Sequence, residues 1–147
     1  MVICPLARRC VDATFFAPGN WIRVAFGASS NVGIETEVGF THSTSDDNSA
    51  TGLHLFPSIV YNISPDWGET WFVRGGAGLS FTDVDTGFAD VGSTRFGIGG
   101  GVGARLPVTD AFSIRLEGAV EHWFEDDDDR DAFNLLQFLV GFSFFVD

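Results

Sequence analysis

Residues 112–124 read Phe-Ser-Ile-Arg-Leu-Glu-Gly-Ala-Val-Glu-His-Trp-Phe. Phe112, Ile114, Leu116, Val120 and Phe124 share one parity, while Ser113, Arg115, Glu117, Glu121 and Trp123 share the other. Period-two alternation describes a β-strand whose two faces meet different environments. The polar face carries charges of both signs, and the apolar face is continuous. Similar stretches lie on either side of it, with no second sheet's worth of sequence to cover so much apolar surface. A lipid bilayer outside and an enclosed polar interior suit this pattern.

The rest of the chain is consistent with that environment. Its 147 residues are one domain's worth, 45% hydrophobic and 14% aromatic, with 18 glycines, a β-rich composition. No apolar run reaches the roughly 18 residues that suggest a transmembrane helix. The densest stretch, 135–146, is broken by Gln137, Gly141 and Ser143. A net charge of −12 argues against nucleic acid as a partner. All 8 basic residues are Arg, the better residue for enclosed bidentate pairs with carboxylates. Cys4 and Cys10 have neither a metal-binding spacing nor a disulfide framework, and are read as idle. Residues 1–18 do not read as a secretory signal, so the expectation is a truncated or misassigned start with the leader upstream.

Seven long strands are predicted, at 21–28, 32–41, 52–63, 69–81, 94–106, 112–124 and 132–146. Most approach the ~9–11 residues that a tilted strand needs to cross a bilayer. Connections 29–31, 64–68 and 107–111 read as tight turns, whereas 42–51, 82–93 and 125–131 are longer and polar. Short turns at one pole and long loops at the other is the arrangement of outer-membrane barrels. Most acidic loop residues, among them Asp46, Asp47, Asp83, Asp85 and Asp90, fall in the long connections and make one pole negative. An even strand count calls for an eighth strand before Trp21, with 11–16 as a short candidate. Residues 1–19 are therefore an irregular segment or the remnant of a first strand, and 20–147 the barrel domain.

Parity sorts the side chains. Ile22, Ile34, Leu55, Val73, Ile98, Leu116, Leu136 and Phe138 typify the face assigned to lipid. Two aromatic girdles are predicted, Tyr61, Trp67, Trp71 and Phe112 at the turn pole and Phe40, Phe81, Phe96 and Phe124 at the loop pole. The opposite face carries Arg23, Glu35, Glu37, Arg74, Arg95, Arg105, Arg115, Glu117 and Glu121. These predict a salt-bridge network filling the lumen, as side chains fill small barrels. Gly76, Gly78, Gly97, Gly99, Gly101 and Gly103 share that face and are expected to give the Arg side chains room.

Stretches 56–63 (FPSIVYNI), 71–82 (WFVRGGAGLSFT), 97–123 (GIGGGVGARLPVTDAFSIRLEGAVEHW) and 140–146 (VGFSFFV) resemble the small bacterial outer-membrane β-barrel family, the porin-like and opacity-type eight-stranded proteins. The likeness runs from Trp21 to Asp147. It implies an all-β, antiparallel, up-and-down transmembrane barrel of eight strands in a bacterial outer membrane. The partners it implies are outer-membrane lipid, lipopolysaccharide and the barrel-assembly machinery. It also implies that Gly141, Phe144 and Val146 belong to a carboxyl-terminal insertion signal, although the stretch departs from the pattern by ending Val-Asp instead of Phe.

Other clusters carry less. Asp126, Asp127, Asp128 and Asp129 are candidate weak divalent-cation ligands, but they lack the spaced ligands and Gly of an EF-hand and read more simply as a solvated loop. His42, His54 and His122 invite an enzyme reading. No Gly-x-Ser-x-Gly or His-Glu-x-x-His accompanies them, and His122 and Glu121 point to opposite faces. The expectation is no enzyme and no cofactor. The functional expectation is a structural or surface-interactive, adhesin-like barrel whose extracellular partner is not named by the sequence. The alternatives are a narrow cation-preferring channel, then a soluble lipocalin-type ligand-binding barrel.

Overall fold

Strands inside hydrocarbon must satisfy every backbone group among themselves, which only a closed sheet achieves. The computed structural model describes residues 11–17, 21–45, 48–85, 90–124 and 131–146. Its strands are β1 (Val11–Ala17), β2 (Trp21–Gly27), β3 (Val32–Ser45), β4 (Asn48–Asn62), β5 (Thr70–Asp85), β6 (Asp90–Thr109), β7 (Phe112–Trp123) and β8 (Phe133–Val146). Each pairs antiparallel with its chain neighbours, and β1 with β8, so the eight-stranded barrel closes. The segment 1–19 thus contains the closing strand, with Asp12 opposite Ala25 on β2 and Phe145 on β8. Cys4 and Cys10 lie outside the described residues.

Two of the predicted long loops are largely strand. β3 and β4 stay paired as far as Ser45 opposite Asn48, and β5 and β6 as far as Asp85 opposite Asp90. Beyond the membrane both faces of a ladder meet water, so alternation disappears while the backbone hydrogen bonds continue. The predicted turn at 107–111 is also shorter. β6 runs through Thr109, with a register shift between Pro107 and Thr109. Proline has no N–H to give a ladder, and an irregularity of this kind accommodates it.

The apolar side chains point outward. Phe138 is 81% exposed, Leu136 69% and Trp71 68%, and Ile22, Ile34, Leu55, Val73, Ile98 and Leu116 are exposed as well. Arg23, Glu35, Glu37, Arg105, Arg115 and Glu121 are each at most 1% exposed. A lipocalin-type barrel needs the reverse orientation, so that reading is overturned.

Trp67 does not belong to the turn-pole girdle. Its side chain is fully buried, clusters with Ala25 and Phe145, and donates from Nε1 to the Ser30 carbonyl at 2.8 Å. Parity cannot place a residue that sits in a turn, and this one folds back over the end of the lumen. Tyr61 and Trp71 do face outward, as do Phe40, Phe81, Phe96 and Phe124.

Candidate functional site

Inward residues of all eight strands build the lumen, although the inner face of β8, with Gln137, Ser143 and Phe145, carries no charge among the described residues. Glu117 on β7 is its hub. One carboxylate oxygen accepts from Arg23 Nη1 at 2.5 Å and from Arg115 Nη2 at 2.8 Å, and the other from Arg74 Nε at 2.5 Å. Arg115 also grips Glu35 with both Nη atoms, at 2.5 and 3.1 Å. Arg23 donates from Nε to Glu37. Four strands supply these six groups, and bidentate Arg–carboxylate geometry locks their mutual positions.

A second knot lies toward the turn pole. Arg105 reaches Asp12 at 3.1 Å and Asn62 Oδ1 at 2.8 Å. Arg105 and Arg115 are direct cross-strand partners, a repulsive register for like charges. Each nevertheless sits over the Phe72 ring, at 4.9 and 4.3 Å, and Asp12 and Glu35 offset their charges.

The network differs from the sequence reading in membership. Asp12, Asn62 and His54 belong to the lumen but were not anticipated. Arg95 is only partly buried and has no carboxylate partner among the described residues. Its guanidinium lies 5.4 Å from the Phe133 ring centroid. The glycines of β6 chiefly make way for other groups than Arg. A Cβ on Gly103 would stand 2.5 Å from the Phe72 ring, one on Gly97 2.7 Å from Trp123, and one on Gly101 2.9 Å from a Glu117 oxygen.

Above the network, at the loop pole, lies a cavity of ≈ 350 Å³ lined by Trp21, His54, Arg95, Glu121, Trp123 and Phe133 among others. Its floor is aromatic. His54 stacks between Trp21 and Phe56, at 5.3 and 5.9 Å, with Trp123 edge-on at 5.3 Å. His54 Nε2 lies 3.1 Å from Glu37 Oε1. Glu121 Oε2 accepts from Trp123 Nε1 at 3.2 Å. The ligand atoms of Glu37, His54 and Glu121 lie within 4.8 Å of one another.

The other candidates are placed as follows. Gly141 faces the lumen, Phe144 faces outward at 45% exposure, and Val146 ends β8. Asp126, Asp127, Asp128 and Asp129 lie outside the described residues. His122 hydrogen-bonds Asn134 on the outer side of the wall, away from Glu121. His42 contacts the Thr51 and Thr44 hydroxyls.

Residues 12–144 match the model of the outer membrane protein β-barrel domain. No curated protein matches the sequence. Among solved structures, the chain is similar to Neisserial surface protein A, with TM-score 0.67 and 12% identity over 92% of both chains. A major outer membrane protein of Thermus thermophilus gives 0.62 and 15%, over 94% of this chain and 98% of the other. Ail, the attachment invasion locus protein of Yersinia pestis, gives 0.52 and 10%, over 94% and 93%. At such identities these three likenesses establish the fold alone.

Proposed function

Since the chain belongs to the outer membrane protein β-barrel domain family, we propose that it is a non-conducting, non-enzymatic barrel of a bacterial outer membrane, whose loop-pole hairpins present an acidic surface for attachment. The observation that carries this reading is the filled lumen. Arg23, Arg115, Glu35, Glu37 and Glu117 interlock across the interior at no more than 4% exposure, and Trp67 covers the turn end. Such a plug leaves the extramembrane hairpins as the part available to partners. The β5–β6 hairpin carries Asp83 there, and the sequence has further acidic residues at 85, 90 and 125–131. Divalent cations bridging these carboxylates to lipopolysaccharide phosphates would anchor that surface, and the outward apolar band would hold the barrel in lipid after delivery by the barrel-assembly machinery.

The name of Ail points to attachment for that protein, and the shared architecture makes the same role testable here. Planar-bilayer recording of the refolded chain separates this reading from its rival. Silence supports the plug, whereas discrete cation-selective steps would establish the narrow channel. Adherence of cells displaying the barrel tests the second half. Shortening the β5–β6 hairpin to a four-residue turn should abolish any gain in adherence, and unchanged adherence would refute the role of that hairpin.

A further inference from the structure

Two buried carboxylates and an imidazole converge at the loop-pole cavity, with His54 and Glu121 in its lining and Glu37 against His54. Glu37 Oε1 and His54 Nε2 pair with each other at 3.1 Å, and Glu121 Oε1 is buried with no hydrogen-bond partner among the described residues. Glu37 and Glu121 are 1% and 0% exposed, where an unsatisfied oxygen is costly. Their second oxygens are held, Glu37 by the Arg23 Nε–H and Glu121 by the Trp123 indole N–H. The imidazole plane is fixed by the rings of Trp21 and Phe56. Each of these three atoms therefore belongs to a side chain whose remainder is already oriented, as the groups behind a metal's ligands orient them.

We propose that Glu37, His54 and Glu121 bind a divalent transition-metal ion of the Zn²⁺ type. One imidazole nitrogen with two carboxylate oxygens suits borderline ions better than Ca²⁺ or Mg²⁺, which take oxygen alone. Metal–ligand bonds of about 2.0–2.2 Å place neighbouring donors about 3–3.5 Å apart. The His54–Glu37 separation of 3.1 Å is already in that range. No pair of the three donors is more than 4.8 Å apart, so coordination asks for a closure of roughly an ångström. The cavity leaves a coordination position for water.

Charge favours a cation here. Asp12 is matched by Arg105, and Glu35, Glu37 and Glu117 by Arg23, Arg74 and Arg115. Glu121 is left with only a 3.9 Å approach from Arg74, whose Nε is committed to Glu117. Arg23 and Arg74, which contact Glu37 from below, and Arg95 on the cavity wall oppose binding, but Arg23 and Arg74 are also committed to Glu117, and Arg95 leans on Phe133.

The test uses the full chain refolded in detergent, stripped with chelator and titrated with Co²⁺, then Zn²⁺. One Co²⁺ per chain, with a ligand-field absorption that Zn²⁺ abolishes, is expected. His54→Gln and Glu121→Gln should each weaken binding at least tenfold while circular dichroism shows a folded barrel. A chain carrying His42→Ala, His122→Ala, Asp126→Asn, Asp127→Asn, Asp128→Asn and Asp129→Asn should bind as the parent does. It retains one imidazole, whose Nε2 resonance in a ¹⁵N-histidine spectrum must move with Zn²⁺, a readout independent of whether the site variants fold. Absence of the Co²⁺ absorption, full binding by His54→Gln, or a motionless His54 resonance would overturn the proposal. A conductance or adherence result against the proposed function would leave this test untouched.

Discussion

Removing Glu117 strands a buried cation, and the structure says which one. In Glu117→Ala, Arg115 keeps its two bonds to Glu35, and Arg23 keeps Glu37. Arg74 is left with carboxylates no nearer than 3.9 Å, at Glu37 and Glu121, while its side chain stays fully buried. A buried charge deprived of its partner costs about 3–5 kcal/mol. Denaturant unfolding in lipid vesicles, followed by tryptophan fluorescence, should show that loss as a lower midpoint. The double variant Glu117→Ala/Arg74→Met should recover most of it, because removing both partners removes the stranded charge. An unchanged midpoint in the single variant, or no recovery in the double, would refute the hub role of Glu117.

Three further outcomes follow from the same geometry. Leu116→Arg, on the outer face at 41% exposure, should lose about 2–4 kcal/mol if it lies at mid-depth, read by the same vesicle unfolding. Gly103→Ala should lose about 1–3 kcal/mol because its Cβ meets the Leu116 carbonyl oxygen and the Phe72 ring, whereas Gly92→Ala, with nothing within 4 Å, should stay within about 0.5 kcal/mol. Trp67→Ala should cost about 3–5 kcal/mol through lost packing at the turn pole, measured by thermal unfolding in detergent.

What the sequence made legible was whatever parity could reach. Leu116 against Glu117, or Val73 against Arg74, is decided by one residue's offset, so the two faces and most of the lumen charges could be read directly. Asp12 escaped because β1 spans only seven residues, too few for a convincing alternation. His54 and Asn62 escaped for a different reason. The inner face of β4 mixes them with Phe56, Ser58 and Val60, so no charge pattern marked it. Trp67 sits in a turn, where period two has no meaning, and its inward fold is set by tertiary packing against Ala25 and Phe145. The hairpin extensions were hidden because water on both sides of a ladder selects polar residues everywhere. The Glu37–His54–Glu121 cluster joins three strands, β3, β4 and β7, and no spacing within one strand could announce it.

The inside-out arrangement itself is open to direct measurement. In a nanodisc with protonated acyl chains and an otherwise deuterated barrel, methyl groups of Leu116, Val120, Leu136 and Val140 should show nuclear Overhauser effects to lipid. The Ala119 methyl, 3% exposed and on the inner face of the same strand as Leu116, should show none. Lipid contacts at Ala119 with silence at Leu116 and Leu136 would mean that the faces are reversed.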